Sequence, residues 1–328
     1  MFRRTFLTAA TAGIATGIGL GLTPLRAQTT TLRIGLITPP AHQWSKSAEA
    51  LATRLAAQSN GALTMNVLTA GQLGNESQML QQLQTGALDM AFLTLGEFAN
   101  READFGALLA PYLVRNIPDA RRLLSQHTAT ELLGKTRKMG VEGLGFGLAG
   151  MRQLLLRKPA VSGTDLAGRK IRSLPLPQEL DFWTKCGATP TPLPLPALFD
   201  AMSNGQIDGM QIDYEGAWNS RYFDLAQEML ASDHMLFPMV AVASARRWKT
   251  LSPDLRMLIA AETTTELGNI LSAYETLDPA YRGQIEAAGF PVRQVGPEFF
   301  GVAIDAWYDE WRVKTPILTS LEAEAGRT

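Results

Sequence analysis

Between residues 31 and 94 the chain alternates short apolar runs with helical stripes, and this alternation limits the possible folds more than any other feature. Residues 32–37 are an apolar run ended by Thr38-Pro39-Pro40, the pattern of a strand leaving into a loop. From 44 to 58 the apolar positions Ala48, Leu51, Leu55 and Ala56 share a helical face, and Asn60-Gly61 stops the helix. Residues 63–68 alternate as a strand, 76–84 are helical and closed by Thr85-Gly86, and 88–93 form a third apolar run. Strands spaced by helices of this length predict βαβ units, because parallel neighbours need a crossover long enough to hold a helix.

A second unit of the same kind starts near Gly150. Strands are predicted over 152–157, 168–173, 189–191 and 206–212, with helices over 178–185 and 195–204. Ser252-Pro253-Asp254 then supplies an N-cap, a proline at the first helical position and a first-turn acid. The helix begun there is predicted to reach Leu277, roughly 37 Å at 1.5 Å per residue, enough to span two small domains. The expected fold is α/β, with lobe I from 28–149 and 238–277 and lobe II from 150–237 and 278–328. The predicted hinge lies near Gly150 and the 235–240 crossing. Open α/β sheets bind ligands beyond the carboxyl ends of their strands, so the cleft between the lobes is the expected site.

The first 27 residues form a predicted export leader outside this fold. Arg3-Arg4-Thr5-Phe6-Leu7 sets two arginines before an apolar pair, residues 8–22 carry no charge, and Pro24-Leu25-Arg26-Ala27 ends in a small residue suited to cleavage. Twin arginines resemble a Tat signal, which exports folded proteins, while a Sec leader also begins with basic residues; both routes lead to the periplasm. No later stretch reaches 18 uninterrupted apolar residues, so a soluble mature chain without direct membrane insertion is expected. The net charge of -1 gives no field for nucleic acid. The single cysteine, Cys186, excludes an internal disulfide and is expected to be a buried, inert thiol. With only three histidines and no glycine-rich nucleotide fingerprint or nucleophile elbow, no metal, cofactor or enzyme activity is expected.

Three motifs, in order and at consistent spacing, resemble one family. They are Leu73-Gly74-Asn75-Glu76 followed by Leu80-Gln81-Gln82-Leu83-Gln84-Thr85-Gly86-Ala87-Leu88-Asp89, then Asp165-Leu166-Ala167-Gly168-Arg169-Lys170-Ile171-Arg172, and Gly187-Ala188-Thr189-Pro190 through Ala201-Met202-Ser203-Asn204-Gly205-Gln206-Ile207-Asp208-Gly209. The chain resembles, from about Leu32 to at least Leu255, the substrate-binding proteins of tripartite ATP-independent periplasmic (TRAP) transporters, the dicarboxylate-type (DctP-like) family. The resemblance implies a periplasmic-binding-protein-like fold whose two lobes close on a small organic acid and deliver it to TRAP membrane subunits. The binding component of an ABC or tripartite tricarboxylate system, or of a chemosensory receptor, is the alternative.

In that family an arginine at the position of Arg172 pairs bidentately with the ligand carboxylate, and a planar fork of donors suits that task. Arg152 matches a second arginine of the sialic-acid-binding branch, with an internal salt bridge as its alternative. Where many members carry an asparagine ligand contact this chain has Ile212, so that contact is missing or moved to Asp213. Thr94, Trp44 and Tyr214 complete the expected ligand set, and His42, Phe182, Trp183 and Trp218 are further aromatic candidates for the cleft. Such a pocket suits a hydrophobic or aromatic monocarboxylate. The leader can be tested directly: replacing Arg3 and Arg4 with lysine should hold the protein in the cytoplasm if export is by Tat. Undiminished export would assign the leader to Sec, and N-terminal sequencing of the exported form should begin at Gln28.

Overall fold

The computed structural model describes residues 29–327; the leader, and with it the expected cleavage after Ala27, lies outside them. The strands are β1 (Thr30–Leu36), β2 (Leu63–Leu68), β3 (Met90–Thr94), β4 (Val141–Leu156), β5 (Lys170–Ser173), β6 (Thr189–Pro192), β7 (Gly209–Ile212), β8 (Glu228–Ser244) and β9 (Val292–Gln294). They form one continuous sheet ordered β2-β1-β3-β8-β4-β7-β5-β6, with β9 added to β8. In lobe I, β1 runs parallel to β2 and β3. In lobe II, β5 runs parallel to β6 and β7. The two parallel blocks are joined through the antiparallel pair β4 and β8.

That pair departs from the expected organisation. β4 begins at Val141, well before the predicted start at 152, and β8 extends the expected 235–240 crossing into a strand of 17 residues. Both strands therefore belong to both lobes. Their register slips where the lobes meet: Leu148 faces Pro238 and Met151 faces Leu236, so Ala149 and Gly150 together oppose Phe237. This is a β-bulge, which bends a strand and re-aims its side chains. Gly150 takes φ +74°, a conformation open to glycine.

Two apolar cores flank the crossing. The larger fills lobe I and continues beneath the C-terminal helices; the smaller fills lobe II around Leu198, Met202, Met210, Phe223 and Met229. The helix expected to end at Leu277 continues to Ala287, 35 residues or about 52 Å at 1.5 Å per residue, running through Pro279. It buries Ile259, Leu267 and Ile270 in the larger core and Tyr281 and Ile285 in the smaller. Within the C-terminal segment, assigned to lobe II, helix Ala303–Lys314 packs on helix Pro177–Lys185 of that lobe, and only the last helix lies elsewhere. Helix Ile317–Ala325 packs on lobe I, where Glu324 accepts from the Thr128 N–H at 3.1 Å and Arg327 donates to the Tyr112 carbonyl at 2.8 Å. Buried Leu318 and Leu321 give the reason, since they join the larger core.

The crossing yields a paired test. A Cβ on Gly150 would lie 2.3 Å from Asp278 Oδ1, whereas a Cβ on Gly168, also at positive φ, would meet nothing within 4 Å. Gly168→Ala should cost only the backbone strain, about 1 kcal/mol, and Gly150→Ala about 1–3 kcal/mol more. Urea unfolding of both variants measures the difference, and equal costs would mean the crossing tolerates a side chain.

Candidate functional site

Loops at the carboxyl ends of β1, β3, β5, β6 and β7, together with the crossing, enclose a cavity of about 280 Å³. That lies at the small end of the roughly 300–1,000 Å³ typical of small-molecule sites. Of the expected residues, Trp44, Thr94, Arg152, Arg172, Ile212 and Asp213 line it, as does His42.

Arg172 stands near the end of β5 and is 1% exposed. Its Nε donates to the Leu193 carbonyl at 3.0 Å, and among the described residues its side chain makes no other protein hydrogen bond and no ion pair. Burial, then the neighbouring Arg152 guanidinium, brings its pKa down to about 10, so it stays charged at neutral pH. The cavity thus holds a desolvated cation whose two terminal nitrogens are uncommitted.

Arg152 is different. Its Nη1 donates to Asp213 Oδ2 at 2.9 Å, and its guanidinium lies 3.3 Å from the centre of the Phe237 ring. Asp213 also caps helix Tyr214–Asn219 by accepting from the Gly216 N–H at 2.7 Å. Phe237, pushed out by the bulge, lies parallel to Trp44 at 6.4 Å between centroids, and the Trp44 indole N–H donates to the Leu148 carbonyl at 2.9 Å. Trp44 therefore serves as a wall braced against the hinge. His42 accepts from the Trp44 N–H at 3.1 Å and sits 3.5 Å from Glu215; burial, the larger effect, lowers its pKa despite that carboxylate.

Two residues outside the expected set help form the site. Phe237 belongs to β8, whose sequence carries no alternation to mark it. Glu76 is the first residue of helix Glu76–Thr85, entered by a capping box between Asn75 and Gln78. Its carboxyl accepts from the Thr94 N–H at 2.6 Å and the Thr94 hydroxyl at 2.8 Å. Burial raises its pKa to about 7 against the pull of those two bonds. An acid opening a helix at the carboxyl end of the sheet was the signal for it, inside a motif valued only for its resemblance.

Four aromatics expected near the cleft stand elsewhere. Tyr214 is buried in the lobe II core, its hydroxyl without a partner and its pKa raised by burial, because the Asp213 cap turns it inward. Phe182 and Trp183 pack with His234 and Phe300 beneath lobe II. Trp218 stacks on Phe223, 5.4 Å between centroids. Their places at the cavity are taken by leucine and proline. Cys186 is half-buried, and burial pushes its thiol up to about 12, which leaves it unreactive. Among the described residues no cluster of His, Cys, Asp or Glu is placed to hold a metal, and no helix is long and apolar enough to cross a membrane.

Residues 34–312 match the model of the bacterial extracellular solute-binding proteins, family 7. The chain belongs to that family. It is similar to a solute-binding protein of Roseobacter denitrificans, 26% identical over 285 residues, covering 85% of this chain and 86% of the relative. It is also similar to the C4-dicarboxylate-binding periplasmic protein of Vibrio cholerae, 24% identical and covering 83% and 82%. Among solved structures, a TRAP periplasmic solute-binding protein of Bradyrhizobium in complex with galacturonate superposes with a TM-score of 0.85 at 27% identity, covering 91% of this chain and all of that one. The two-lobed fold is that of the TRAP solute-binding proteins.

The state of Glu76 has a measurable consequence. Its carboxyl holds a proton up to about pH 7 in the folded chain but only to its ordinary value of 4.5 when unfolded, so the native state binds more protons in that window. Stability must then fall as pH rises from 4.5 through 7. Asp278, buried and raised to about 8, adds a fall of the same sign. Glu76→Gln should shrink the loss of melting temperature between pH 5 and pH 8 while leaving the Asp278 share. An unchanged pH profile would mean Glu76 is ionised throughout.

Proposed function

We propose that this solute-binding protein works in the periplasm, captures a small organic carboxylate between its lobes and delivers it to the membrane subunits of a TRAP transporter. The observation that carries the reading is Arg172: a buried cation at the cavity with its guanidinium fork uncommitted. Removing a cation from water is costly, and a bound carboxylate returns two charge-assisted hydrogen bonds to it. Arg152 cannot take this role equally, because Asp213 and Phe237 already occupy it. Paired with Asp213, it serves as a fixed floor beside the anchor. The relatives named as binding C4-dicarboxylate and galacturonate are consistent with an acid ligand.

The test is calorimetry on folded variants with an acid found by thermal-shift screening. Truncating one partner of a desolvated charge pair costs about 3–5 kcal/mol, and each 1.4 kcal/mol is tenfold, so Arg172→Ala should weaken binding roughly a hundred- to several thousand-fold. Arg172→Lys keeps the charge but loses the fork, and should also bind substantially more weakly. If Arg172→Ala binds within threefold of the native protein, the carboxylate is held elsewhere.

A further inference from the structure

We propose that the ligand is a monocarboxylate with an apolar body, such as a branched-chain or aromatic acid carrying at most one oxygen beside its carboxyl, and not a sugar acid or a dicarboxylate. This rests on the carboxylate reading of Arg172 and extends it from the wall that surrounds that residue.

The wall is built from two loops, Leu174-Pro175-Leu176 after β5 and Leu193-Pro194-Leu195-Pro196 after β6. Its backbone donors can be counted in full. Pro175, Pro194 and Pro196 have no N–H. The Leu174 N–H is held by Glu179 at 2.9 Å, that of Leu176 by the Leu174 carbonyl at 2.8 Å, and that of Leu193 by the Ser173 carbonyl at 3.3 Å. Only the Leu195 N–H is left without a protein partner among the described residues. The Leu193 carbonyl is already bonded by Arg172. The leucine side chains offer no polar atom.

Of the polar side chains lining the cavity, Thr94, Asp213 and His42 are committed, while Asn75, Ser77, Asn100, Asn219 and Ser220 also line it. Both Thr94 donors point to Glu76, Asp213 serves Arg152 and Gly216, and His42 accepts from Trp44 beside Glu215. A pyranose ring set against these two loops would bury hydroxyls on leucine and proline without partners, which is disfavoured. An apolar body gains from the same surface. The charges point the same way. Arg152 gives one terminal nitrogen to Asp213 and its face to Phe237, whereas Arg172 keeps both terminal nitrogens open, which favours a ligand with one carboxylate.

The experiment is calorimetry of the mature protein against 4-methyl-2-oxopentanoate, phenylpyruvate, galacturonate and succinate, repeated on Arg172→Ala and Leu195→Gln. Leu195 is half-buried in a loop, so its substitution should leave the fold intact, which circular dichroism checks. At least one of the two apolar acids should bind a hundredfold or more tighter than galacturonate and succinate, with a negative heat-capacity change from apolar burial. Leu195→Gln should narrow that gap about tenfold. If galacturonate or succinate binds as tightly as the better apolar acid and Arg172→Ala abolishes it, the ligand class is overturned while the carboxylate anchor stands. If acids bind undiminished by Arg172→Ala, the anchor falls and the proposal with it. If neither apolar acid binds up to millimolar concentration, the proposal is overturned.

Discussion

The antiparallel ladder of β4 and β8 is the constraint on which the rest of the molecule depends. Each strand is long enough to serve both lobes, so the two parallel blocks hang from one shared pair of strands. The ladder does not run undisturbed: its register shifts at Gly143–Gly145, at Leu148–Met151 where the lobes meet, and at Arg152–Leu154. The bulge at Ala149–Gly150 has a functional by-product. It turns Phe237 toward the cleft, where the ring braces Trp44 on one side and carries the Arg152 guanidinium on the other. The floor of the site is thus made from the joint that connects the lobes.

The electrostatics follow from this placement. Arg152 and Asp213 neutralise each other at close range, so the pair fixes the lobe II face without claiming a ligand. Glu215, fully buried, gathers the Gln43 N–H at 2.8 Å, the Tyr274 and Tyr281 hydroxyls, and the edge of His42. It therefore ties the first helix of lobe I to the long helix and to lobe II. Arg172 keeps both terminal nitrogens of its guanidinium open to the cavity. Buried polar networks tend to be satisfied in full, because a partial one is costly. An uncommitted guanidinium in such surroundings is best understood as one half of an interaction that a ligand completes.

Much of this was legible in the sequence, for identifiable reasons. The parallel blocks were visible because their strands are short apolar runs separated by helices with readable stops, as at Asn60-Gly61 and Thr85-Gly86. Arg172 was found by resemblance and by its place near a strand end. The ladder was not legible. Residues 141–150 carry four glycines, which read as breaks rather than as a strand. β8 holds Pro238 and a positive-φ Asp233, and it is buried on both faces over most of its length, so no alternation marks it. The aromatic candidates failed for a related reason. Aromatic residues bury well anywhere, and nothing local separates Trp44, which lines the cavity, from Trp183, which meets His234 edge-on. The distinction arises only when the bulge has placed Phe237.

The long helix adds the last element of this design. Its apolar contacts divide between the two cores, with Ile259, Leu267 and Ile270 on one side and Tyr281 and Ile285 on the other. Pro279 falls between those sets and removes the N–H that would bond the Glu275 carbonyl, which weakens the helix at that turn. One residue earlier, Asp278 accepts the Met151 N–H at 3.1 Å beside Gly150. The bulge in the ladder and the weakened turn in the helix are therefore fastened to each other. Both segments that cross the junction are soft at the same level, and rigid elements extend from it in either direction. A change in the angle between the lobes is absorbed there at least cost, since elsewhere it would break strand pairing or uncover a packed core. Because Phe237 and Arg152 lie at that same level, such a change alters the site directly.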